Sequence, residues 1–148
     1  MSQLFSPWQL GGLTLPNRIV VAPMCQYSAE DGSATDWHLM HLGALALSGA
    51  GLLILEATAV EALGRITPRC LGLYSDANAE ALARVLGALR RHSAMPVAIQ
   101  LGHAGRKASS RLPWEGGSLL APADGGWLAQ APSALPQRPE EAAPQALD

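Results

Sequence analysis

Only two of the 148 residues are cysteine, Cys25 and Cys70, and they form no CxxC pair. That excludes a disulfide-rich scaffold and makes reduced thiols in the cytoplasm the expectation. Charge is sparse as well: 15% of residues are charged and the net charge is −2. With an isoelectric point near 6.0, nothing electrostatic calls for nucleic acid or an anionic membrane. The start, "MSQLFSPWQL", lacks a basic segment followed by an apolar core, so no secretory signal is expected. The most apolar window, Gly43 to Val60, is broken by Gly49 and Gly51 and contains Glu56. It reads as a helix end followed by a buried strand rather than a membrane span. There is no GxSxG, and "GHAGR" fits neither a P-loop nor GxGxxG, so nucleophilic hydrolysis and phosphate-loop chemistry have no support.

What is present is apolar and periodic. Ile19 to Met24 is a continuous apolar run, the mark of a strand covered on both faces. Leu13 to Asn17 reads as a short extended stretch after a Gly11-Gly12 turn. Thr35 or Asp36 can cap a helix from about Trp37 to Ser48. Leu52 to Ala57 is a second buried strand. Asp76 can cap a second helix reaching His92, with Leu82, Val85, Leu86 and Leu89 in one stripe and Arg90, Arg91 and His92 at the negative end of its dipole. Val97 to Leu101 is a third strand. The order βαβαβ predicts an α/β fold with a parallel sheet and right-handed crossovers. After Gly105 the pattern dissolves into Gly, Pro and Ser, and 128–148 reads as a Pro/Ala-rich extended tail.

Unusual polar residues fall where these strands end. Cys25 and Tyr27 follow the first, Glu56 and Thr58 close the second, and Gln100 and His103 close the third. In a parallel sheet those ends share one face, where ligands bind. Each residue also has a plainer reading. Cys25 is equally well a small buried hydrophobe, and for Cys70 packing is the whole expectation. His38 and His41 are three apart but lack a completing ligand, so packing is favoured over a metal. For His103 a structural hydrogen bond is favoured over a base or ligand. Glu30, Asp31, Asp36 and Glu61 read as solvated charges or caps.

Several stretches together carry a resemblance: "PMCQY", "EATAV", "GRITP" and "QLGHAGRKA", with "APSALP" and "PQALD" further on. The sequence resembles the Old Yellow Enzyme family of flavin-dependent ene-reductases, and its "PMCQY" cysteine is similar to the YqjM and xenobiotic reductase branch. The resemblance implies the N-terminal part of a (β/α)8 barrel, about three βα units, with residues 1–127 a partial FMN-binding domain. It implies FMN as cofactor, NADPH or NADH as reductant, and an activated alkene as the small-molecule partner; homo-oligomerisation is left open. By resemblance Ala22, Pro23, Met24 and Cys25 lie along the flavin, and Cys25 tunes its potential. Ala57 offers backbone to the ring, Gln100 bonds its pyrimidine end, and Tyr27 lines the substrate pocket. A closed barrel takes about 250 residues, so the resemblance also implies a chain inactive alone. The alternative is a non-catalytic remnant or interaction subunit.

Overall fold

The computed structural model describes residues 2–148. Near its start, β1 (Trp8–Leu10) and β2 (Leu13–Leu15) form an antiparallel hairpin. Gly11 turns it with φ +56, a conformation open to glycine without strain. β1 was not foreseen, because its three residues are all exposed and show no burial pattern.

The main sheet has three parallel strands in the order β3 (Val20–Val21), β4 (Leu52–Ala59) and β5 (Val97–Gly102). Two helices connect them: α1 (Asp36–Ala46) and α2 (Asp76–Arg90). The βαβαβ expectation therefore holds. Leu53 and Leu55 of β4 pack with Leu42 and Ala46 of α1, and with Leu82, Val85 and Leu89 of α2, in one core.

Several boundaries differ from the sequence reading. The first strand keeps only two residues. Pro23 has no N–H to give a ladder, and residues 22–29 leave the sheet. Val20 is exposed and Val21 only half-buried, because β3 has a neighbour on one side alone. Ser75, not Asp76, caps α2: its hydroxyl accepts from the Asn78 N–H at 3.2 Å, and Asp76 becomes the first helical residue. Both helices also stop two residues early. Gly49, at φ +81, takes the chain away from α1, and only Arg90 of the basic trio remains inside α2.

At α1, Thr35 is the cap residue, and its backbone N–H donates to His38 Nδ1 at 3.0 Å. The Gly43–Val60 window divides into the end of α1 and β4. Among the described residues no helix is long and apolar enough to cross a membrane.

The tail is tied to the body. β6 (Gln130–Ala131) pairs in parallel with β7 (Gln145–Ala146), and Ala129 and Ala131 are buried. Just ahead of them, the Trp127 indole N–H donates to the Leu63 carbonyl at 2.8 Å.

Two glycines test this packing in opposite senses. A Cβ on Gly51 would run into the backbone carbonyl oxygen of Asn17, while one on Gly87, exposed in α2, would meet open space. Gly51→Ala should therefore cost ~1–3 kcal/mol, and Gly87→Ala should gain ~0.5–1 kcal/mol. Urea unfolding midpoints of the two variants must move in opposite directions from the parent.

Candidate functional site

The C-terminal ends of β4 and β5, with Cys25 from the segment after β3, open on one cavity of about 380 Å³. That volume lies in the range of small-molecule sites, about 300–1,000 Å³. Cys25, Ala57, Cys70 and Gln100 line it, with Arg65, His103 and Lys107 supplying nitrogen donors around its wall.

A bulge sets the alignment of this surface. Leu55 pairs with Ile99, but Ala57 pairs with Gln100, so Glu56 is an extra residue on β4. A bulge re-aims the side chains after it. Here it sets Ala57 and Gln100 side by side in register at the cavity. The Gln100 residue is exposed there, so its amide is free to offer both a donor and an acceptor.

Cys25 arrives from the non-strand segment after Val21 and is half-buried. Its thiol is pushed up from the usual thiol range. The hydrogen bond to Cys70 contributes most, then burial, then the charges of Cys70 and Glu56. The Cys25 side chain is thus a neutral donor. Cys70 is held down to about 7, first by the hydrogen bond from Cys25 and then by Thr67, against its own burial. Cys70, expected only as packing, is fully buried, but it lies beside Cys25 at the cavity wall. No spacing in the sequence links the two cysteines.

The other predicted residues divide. Ala22 and Met24 line a separate shallow cleft with His41, away from the main cavity, and Pro23 is half-buried between them. Tyr27 stands with φ +52, and its ring meets Trp114 edge-on at 5.6 Å. Burial pushes its phenol up, helped by the charges of Cys25, Cys70 and Glu56. Trp114 was not foreseen, because it lies in the stretch where the sequence shows no period.

The histidines have settled partners. His38 turns to Thr35 and to Glu56, whereas His41 stacks on Trp37 at 6.3 Å. His103 Nδ1 accepts from the Gly105 N–H at 2.9 Å, and its Nε2 lies 2.9 Å from the Glu61 carboxylate. Glu61 is thus a partner and not merely solvated. Asp31 and Asp36 pair with Arg65 and Arg84. Among the described residues no group of three His, Cys, Asp or Glu side chains is placed to hold a metal.

The profile of the NADH:flavin oxidoreductase / NADH oxidase family matches residues 3–138. The chain belongs to that family. It is 48% identical over 139 residues to an NADH:flavin oxidoreductase of Gibberella zeae, covering 92% of this chain and 33% of that protein. It is 51% identical over 124 residues to an NADPH dehydrogenase of Listeria monocytogenes, covering 82% of this chain and 35% of that one. Among solved structures, morphinone reductase superposes with a TM-score of 0.77 at 28% identity, over 98% of this chain and 39% of that chain. The old yellow enzyme of Trypanosoma cruzi gives 0.74 at 27%, over 99% and 42%. The fold is accordingly part of a (β/α)8 barrel. The chain spans about a third of the length of the curated relatives it matches.

The thiol pair has a direct test. Cys25→Ala removes the donor to Cys70 and leaves the burial that opposes its ionisation. Thiolate absorbance should then grow in at higher pH than in the parent, where the hydrogen bond from Cys25 holds the Cys70 thiol down. Cys25→Ser, which keeps a donor, should stay nearer the parent. Identical titrations for all three proteins would break the link between the thiols.

Proposed function

We propose that the cavity is the pyrimidine and reactive-edge part of an FMN site in an ene-reductase that takes electrons from NADPH or NADH. The observation that carries this is the in-register pair Ala57 and Gln100, set by the bulge, across one cavity from Cys25. The donor set fits a flavin ring. A primary amide meets an edge that carries both donors and acceptors, a backbone segment lies next to it, and a neutral thiol stands beside them.

When bound, FMN supplies hydride transfer from NADPH or NADH to the alkene of an activated C=C bond. The protein's residues place and tune. Gln100 orients the ring edge, Ala57 offers its backbone, and Cys25 stands at the ring and adjusts its electronics. Ala22, Pro23 and Met24 lead into Cys25, but Ala22 and Met24 lie on the separate cleft and outside this part of the site. Tyr27, braced by Trp114, lines the substrate side. The cysteine supports the YqjM and xenobiotic reductase branch in this reading.

The outer edge of β5 has no strand beside it, and Ala98, Gln100, Leu101 and Gly102 are exposed along it. This supports a chain that is inactive by itself. Such an edge carries unpaired backbone groups, and the same edge suits the second reading, a non-catalytic interaction subunit.

Purified 1–148 chain should bind added FMN poorly and sustain no NADPH oxidation with 2-cyclohexenone. A yellow protein with steady turnover would sink the claim of inactivity. No response of the flavin spectrum at any FMN concentration would favour the non-catalytic reading.

In a longer chain that supplies the other strands, Gln100→Ala should weaken FMN binding by about one to two orders of magnitude, since an unpaired ring edge costs ~1–3 kcal/mol. Fluorescence quenching of FMN measures this. Equal affinity in mutant and parent would remove Gln100 from the site.

A further inference from the structure

Glu56 is buried, with relative exposure of 5%, and lies at the bulge of β4. Burying a carboxylate is costly unless it is hydrogen-bonded. Its Oε2 accepts from the backbone N–H of Gln26 at 3.1 Å. Its Oε1 lies 3.4 Å from Nε2 of His38, which is 1% exposed. The Thr35 N–H occupies His38 Nδ1, so in the neutral ring the proton sits on Nε2, facing Glu56. Nε2 makes no hydrogen bond in the protein, and the Glu56 carboxylate stands near it without one.

Gln26 stands between Cys25 and Tyr27, and Tyr27 holds a left-handed backbone at φ +52. A bulky residue does not keep that conformation unaided. Residues 22–29 have no strand ladder to hold them. The side-chain bonds of Gln26 add little rigidity: its Nε2 bonds back to the Met24 carbonyl within the segment, and its Oε1 takes the Trp37 indole N–H at 3.2 Å in an exposed contact. The Gln26 N–H to Glu56 bond ties the middle of the segment to the sheet.

We propose that Glu56 is a positioning residue, its carboxylate holding the Gln26 N–H so that Cys25 is fixed at the cavity and the neighbouring Tyr27 keeps its left-handed backbone, with His38 beside the carboxylate. The bulge and this bond work together. One extra residue turns a side chain inward behind the site while Ala57 keeps its place beside Gln100. The assignment of roles to Cys25 and Tyr27 rests on the flavin reading above, but the positioning itself does not. The groups around the Cys25 thiol are Glu56, Cys70 and Tyr27, with Arg65, His103 and Lys107 on the cavity wall. Among them the negative charge of Glu56 disfavours the thiolate.

The test uses the 148-residue chain without flavin. Amide hydrogen exchange at Gln26 is measured by NMR, and alkylation of Cys25 by iodoacetamide is followed peptide by peptide. In E56A the Gln26 amide should exchange about tenfold faster or more, as a charge-assisted bond is lost. In E56Q an amide oxygen still accepts, so protection should stay near the parent. The removed charge should nonetheless carry the Cys25 alkylation profile to lower pH. Should E56A fail to fold, E56D takes its place. Its shorter arm draws the acceptor away, and exchange at Gln26 should quicken while E56Q remains protected. Equal Gln26 exchange in the parent and in the folded Ala or Asp variant would overturn the proposal, as would an unshifted Cys25 profile in E56Q. Neither result depends on flavin binding, which the FMN titration decides separately.

Discussion

β4 is the only strand of the main sheet with a partner on both sides, and the site depends on that. Six of its eight residues are buried, so its register is held by packing on both faces. A one-residue slip would exchange every side chain between faces. The bulge at Glu56 is a controlled slip of this kind, confined to the last turn of the ladder. Before it, leucines fill the core. After it, Ala57 and Thr58 belong to the cavity wall. The same strand thus serves stability along its first half and recognition along its second.

The polar interior is layered behind that bulge. Thr35 fixes His38, His38 faces Glu56, Glu56 holds Gln26, and Gln26 stands next to the cysteine at the cavity. The first and third links are hydrogen bonds, whereas His38 Nε2 faces Glu56 without forming one. The N-terminus of α1 is therefore coupled to the segment after β3 through the sheet, not through the loop that joins them in sequence. Cys70, itself held by Thr67, gives Cys25 a second contact.

The sequence made the strand and helix order legible because the apolar runs are long and the leucine stripe of α2 is strict. It also placed the polar residues at the strand ends, since a βαβαβ order leaves little choice about which ends converge. The bulge was not legible. Nothing in "LLILEATAV" distinguishes a glutamate that leaves the core from one turned into it. The Cys25–Cys70 contact was hidden for a different reason: it depends on how the loop after β4 folds back, and that loop has no period. Strand β3 was read too long, because a proline within an apolar run was treated as part of the strand when it ends the ladder. Ser75 was passed over as the α2 cap because Asp76, one residue on, has the same chemistry.

The cavity is bounded on the side of β5 by a strand with one partner. Along β5 the residues that would face a further neighbour are exposed, and the amide of Gln100 is among them. In a barrel, each inner side chain has an opposite wall that limits its motion and removes water. Here Gln100 is aligned by its ladder bond to β4 but not enclosed, whereas Cys25 is both aligned, through Gln26, and half-enclosed by Cys70 and Ala57. Hydrogen bonds to a ligand gain strength when water is excluded. It follows that the alignment of the cavity-facing groups is built into these βα units, while water reaches them from the open side of β5.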